Sequence, residues 1–162
     1  MSKYYGKNIV GSLSDAQALP NATNEPSDEM VYVGNKTNGA LWINVYANID
    51  ITIGASDDLS IELEAFSADT AGSATVFFSS DNAQGEIANG DGTDEAGAHF
   101  YLLHRVGGTD GELSFIAGDL MCQCAIPEDM LNAVGYDWVQ LRYTVDKDES
   151  AHDIDAFVWV KA

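Results

Sequence analysis

Apolar and polar residues alternate along most of this chain. Leu41, Ile43, Val45, Ala47, Ile49 and Ile51 occupy one parity, and Trp42, Asn44, Tyr46, Asn48, Asp50 and Thr52 the other. Successive side chains of a strand point to opposite faces, so this run predicts one long strand with a single buried face. The same pattern recurs three times. Ile61, Leu63 and Ala65 alternate with Ser60, Glu62 and Glu64; Val139, Leu141, Tyr143 and Val145 alternate with Gln140, Arg142 and Thr144. Near the C-terminus Ile154, Ala156, Val158 and Val160 share a parity against Asp155, Phe157, Trp159 and Lys161. Shorter strands are predicted at 30–33, 75–79, 99–105, 112–116 and 120–126. Gly- and Asp-rich turns at 34–39, 54–58, 69–72, 85–97, 107–111 and 146–153 separate the runs. About eight or nine strands at such spacing, with no heptad and no internal repeat, predict an antiparallel β-sandwich.

Two segments break the pattern. Pro127 suits a first helical position, Glu128 and Asp129 favour the positive end, and Gly135 can stop the turn. A short helical turn over 127–134 follows, with Met130, Leu131 and Val134 as its buried stripe. Residues 1–29 are polar, interrupted by Pro20 and Pro26, and only weakly periodic. They read as an extended N-terminal arm over a sandwich domain of residues 30–162, anchored by Leu13, Ala16, Ala18 and Leu19.

Composition narrows the function. At 162 residues and 46% hydrophobic, the chain can bury a core without a disulfide or metal staple. Seven Lys and Arg against 26 Asp and Glu give a formal charge of -19. Such a field repels nucleic acid and anionic membranes, so neither is an expected partner. The first ten residues carry Lys3 and Lys7 but no apolar stretch, so no secretory signal is expected. Apolar runs such as 100–103 fall far short of the roughly 20 residues that cross a bilayer. The two cysteines, Cys122 and Cys124, form no disulfide framework and fit a reduced, cytosolic place of assembly.

Chemistry-bearing patterns are few. Cys122 and Cys124 share one face of a strand, but structural zinc takes four Cys or His ligands and only His99, His104 and His152 remain. A packed pair of small residues is the expectation. The acidic loops 89–95 and 146–150 lack the glycine and glutamate that a calcium loop needs, having Asp94 and Ala151 at position six. No nucleophile elbow, phosphate loop or His-Glu-x-x-His occurs. No catalytic residue, cofactor or metal ligand is therefore assigned, and the chain reads as non-enzymatic. Trp42, Tyr46, Phe157 and Trp159 take the outward parity of their strands: either a protein interface, where Trp and Tyr are enriched, or rings beneath covering loops. Lys3 and Lys7 flank Tyr4 and Tyr5, a basic aromatic end on an acidic chain and a second interface candidate.

Two regions carry a family resemblance. Ser14-Asp15-Ala16-Gln17-Ala18-Leu19 resembles a Ser-Asp-Ala-Gln motif near the start of the capsid cement, or decoration, proteins of short-tailed bacteriophages, the group of the Bordetella phage. The tail resembles the same family: Ala125-Ile126-Pro127, Gly135, the strand Leu141-Arg142-Tyr143-Thr144-Val145, an acidic turn, and Ile154-Asp155-Ala156-Phe157-Val158. The resemblance implies a jelly-roll sandwich on the outer surface of a virion, assembled in the host cytoplasm. Its partners would be the major capsid protein and a second copy in a homodimer. The alternative is a carbohydrate- or receptor-binding sandwich using Trp42 or Trp159, with calcium in the acidic loops.

Overall fold

A computed structural model describes residues 8–34, 40–66, 87–89, 98–108, 111–126 and 137–161. Strands are numbered in chain order, and every pairing is antiparallel. One sheet has the order β1 (Asn8–Ala18), β12 (Asp153–Lys161), β4 (Ala40–Ala47), β10 (Leu120–Ala125). The other runs β2 (Asn24–Pro26), β11 (Trp138–Val145), β6 (Leu59–Phe66), β8 (Ala98–Arg105), β7 (Ile87–Asn89). A short β3 (Val31–Tyr32) pairs with β11 beside β2, and β5 (Ile51–Ile53) with β9 (Leu113–Phe115) makes a separate ribbon.

The alternating runs supply the core. Ile43, Val45, Ile154, Ala156 and Val158 from the first sheet pack in one cluster with Ile61, Leu63, Val139, Leu141 and Tyr143 from the second. Two sheets whose inner faces share one cluster make a β-sandwich. The opposite parity is not all solvated. Asn44, Asp155 and Phe157 on the first sheet, and Glu64 and Gln140 on the second, are buried as well. The middles of these strands are thus covered on both faces.

Three expectations change. The predicted strand through 41–52 breaks after Ala47, because its neighbours turn there. The Ala47 amide donates to Asp119 O at 3.0 Å, and Asn48 N to Asp153 O at 2.9 Å. Ile49 falls in the bend and is 37% exposed despite its core parity, and the chain resumes as β5 against β9.

The second change concerns the arm. From Asn8 onward, the segment expected to lie over the domain is an eleven-residue edge strand paired with β12. Register shifts between Ile9 and Gly11, Ser12 and Ser14, and Ser14 and Gln17 reset its parity, which erases the period-two signal. Leu13 and Leu19 are buried as expected of anchors, whereas Ala16 and Ala18 are exposed. Third, the loop expected over 85–97 contains strand β7, paired with β8. The strand predicted at 75–79 and the helical turn at 127–134 lie outside the described residues.

Long connections are pinned at one end of the molecule by Arg105, whose guanidinium donates to Gly54 O at 3.2 Å and Gly111 O at 2.5 Å. Gly107 is required there: a Cβ would stand 2.1 Å from the Ser56 carbonyl oxygen.

Candidate functional site

Adjacent pairing of β4 and β12 gathers four of the predicted interface residues on one outer face. Trp159 lies opposite Trp42, Phe157 opposite Asn44, and Asp155 opposite Tyr46. Such register places the rings within reach of one another. The Trp42 and Trp159 centroids are 6.2 Å apart, and Tyr46 stacks on Phe157 at 5.7 Å. Asn44 joins the two pairs: its Oδ1 accepts from Trp159 Nε1 at 2.8 Å and its Nδ2 donates to Tyr46 Oη at 3.0 Å. Lys161 Nζ lies 4.9 Å from the Trp42 ring centre, a cation–π contact. Trp42 Nε1 is buried with no acceptor among the described residues. Trp42, Tyr46 and Trp159 are half-buried, but Phe157 is fully buried and presents nothing to a partner. Lys3, Tyr4, Tyr5 and Lys7 lie outside the described residues. Asn44 and Lys161 were missed as members of this face, although both share its parity in the sequence.

A second constellation sits where β1 meets β11. The backbone of Ala16 takes φ 51°, a left-handed conformation that an alanine adopts only under constraint. Ala16 N is held by Asp155 Oδ1 at 2.7 Å. That turn brings Ser14 and Gln17 together, and Ser14 Oγ donates to Gln17 Oε1 at 2.5 Å. With its one proton so used, Ser14 Oγ accepts from Tyr143 Oη at 2.8 Å. Gln17 Nε2 donates to Pro26 O at 2.8 Å, while Gln17 Oε1 also accepts from Asp28 N at 2.9 Å. Burial, offset in part by the Ser14 hydrogen bond, raises the Tyr143 phenol above its ordinary value, so it stays protonated as a donor. Through the Ser14–Tyr143 bond the cluster fastens one sheet to the other, and among the described residues no base stands on Ser14.

Of the remaining candidates, the acidic loop at 90–95 and the His99 side chain lie outside the described residues, and the others make contacts within the fold. Cys122 and Cys124 sit opposite Val45 and Ile43, on the core parity of β10, and both are free thiols. Burial pushes the Cys124 thiol up to about 12 and Cys122 higher still, so both are held as neutral thiols. Among the described residues no group of three His, Cys, Asp or Glu is placed to hold a metal. In the acidic turn after β11, Asp146 Oδ1 accepts from Asp58 N at 2.7 Å. Asp148 accepts from Ser150 N at 3.1 Å and Oγ at 2.6 Å, and these bonds hold its carboxyl below the usual range. Glu149 pairs with His152 at 2.8 Å, and burial raises its carboxyl above the ordinary value against that partner's pull. His104 packs on Tyr101 at 4.3 Å.

Comparison with protein-family models, with curated proteins and with solved structures finds no match for this chain.

Proposed function

We propose that the chain is a non-enzymatic cement protein that binds the outer surface of a bacteriophage head and stabilises contacts between major capsid subunits. The observation that carries this reading is the cluster at Ser14. The resemblance rests on short stretches far apart in the sequence: 14–19, 125–127 with Gly135, 141–145 and 154–158. Three of these stretches meet: Ser14 bonds both Gln17 and Tyr143, and Asp155 holds the backbone amide of Ala16 between Ser14 and Gln17. Residues that must fit one another support a shared fold better than scattered matches would.

Strand order supports the jelly-roll part of the reading. With β2 and β3 taken as one interrupted strand and the small β5, β7 and β9 set aside, eight strands remain in chain order. The sheets then read first-eighth-third-sixth and second-seventh-fourth-fifth, the succession of two interlocked Greek keys. As a cement, each copy would add buried interface between neighbouring capsid subunits, and repetition over a symmetric shell would turn modest contacts into avidity. The half-buried Trp42, Tyr46 and Trp159 face is the first candidate contact, with self-association as a homodimer a further element of the proposal. The test is addition of the purified chain to heads lacking it, read by co-sedimentation and electron microscopy. Saturable binding, with density on the outer surface and heads that rupture at higher temperature, is expected. Heads that bind none of it would overturn the proposal.

A further inference from the structure

The edge of the second sheet is interrupted opposite the middle of β11. β2 pairs with Arg142, Tyr143 and Thr144, and β3 with Trp138 and Val139. Between them residues 27–30 leave the ladder, held by Ser27 N to Leu141 O at 2.7 Å and Leu141 N to Ser27 Oγ at 3.1 Å. Glu29 N reaches instead to Leu13 O at 3.0 Å on the first sheet. The gap this detour leaves is a surface cavity of about 340 Å³ lined by Pro26, Ser27, Asp28, Glu29, Met30, Trp138 and Gln140.

Its chemistry is one-sided. Ser27 Oγ is already spent, donating to Glu29 O at 2.9 Å and accepting from Leu141 N. Gln140 is only 2% exposed; its Nε2 donates to Glu64 Oε2 at 3.2 Å, and its Oε1 forms no hydrogen bond among the described residues. The carboxylates of the exposed Asp28 and Glu29 form no hydrogen bond or ion pair among the described residues. Trp138 supplies a half-buried aromatic wall, braced edge-on by Tyr32 at 5.2 Å. Apart from the indole N–H, the available polar side-chain groups are acceptors, and two of them are charged. A sugar hydroxyl both donates and accepts, so it would leave half its capacity unmet against such a wall. A guanidinium offers five donors, no acceptor, a positive charge and a flat face that stacks on indole.

We infer that this cavity receives an arginine side chain from a partner polypeptide. The field of a chain at -19 draws such a partner. The inference stands on the cavity alone and does not depend on the capsid reading.

The probe is N-acetyl-arginine amide, titrated into the intact chain while the Trp138 indole and Gln140 amide resonances are followed by NMR. A saturable shift of both is expected in the millimolar range. Binding should weaken at least about fivefold in about 0.5 M salt, because exposed charge contacts are screened. The double variant D28N/E29Q alters exposed side chains only, so it should keep the wild-type spectrum elsewhere and lose about tenfold in affinity. Trp138→Phe keeps a ring in place and assigns the indole signal. A response equal in wild type and double variant would overturn the proposal, as would a stronger response to methyl glucoside than to the arginine probe.

Discussion

At the scale of single residues, hydrogen-bond supply decides what each polar group in the knot contributes. Ser14 Oγ has one proton and gives it to Gln17, so the Tyr143 hydroxyl depends on Ser14 as its acceptor. The reverse does not hold, since Ser14 keeps Gln17 when Tyr143 loses its hydroxyl. Ser14→Ala should therefore cost more than Tyr143→Phe: about 2 kcal/mol against about 1 kcal/mol, because stranding a buried group is dearer than deleting it. In the Ser14→Ala background, Tyr143→Phe should be neutral or stabilising, as it removes the orphan. Urea denaturation of the four proteins in a double-mutant cycle measures this. Equal and additive costs would mean that the two hydroxyls do not share one proton chain.

At the scale of elements, the long alternating runs were legible and the irregular edge was not. Leu59, Ile61, Leu63 and Ala65 on β6, and Val139, Leu141 and Tyr143 on β11, are buried as their parity predicts. These strands lie between neighbours that hold them in register, so period two survives. β1 has a neighbour on one side only, and three register shifts turn its pattern into what reads as an arm. Ile49 shows the converse limit: parity assigns a side chain to a face but cannot see that the neighbouring strand has ended. For the candidate site, parity correctly grouped Trp42, Tyr46, Phe157 and Trp159. It could not say that Phe157 is sealed, because covering elements leave no mark in the covered strand. Treating β1 as a strand has a direct consequence. Deleting residues 1–7 should leave a folded domain, whereas deleting 1–18 should leave none, since it exposes the long edge of β12 and removes the fully buried Leu13. Circular dichroism and thermal melts of both truncations distinguish the cases. A cooperative melt from the longer deletion would restore the arm.

At the scale of the whole molecule, charge acts on folding and on binding with opposite sign. A formal charge of -19 on 162 residues makes the folded chain repel itself, and compaction brings those charges closer than in the unfolded ensemble. Salt screens this repulsion over a Debye length of about 10 Å at 0.1 M, so the melting temperature should rise as ionic strength increases from near zero. Under the proposed cement role the same charge would suit an outer coat, because like-charged particles stay dispersed, and it would draw a partner that presents basic groups. Attraction of that kind is screened as well, so affinity for heads should fall over the same salt range in which the melting temperature rises. Two titrations on one preparation, a thermal melt and a co-sedimentation isotherm, measure both slopes. Opposed slopes make charge part of the contact itself. An affinity unmoved by salt would place the contact on apolar surface such as Trp42, Tyr46 and Trp159, and would leave the acidity with dispersal alone.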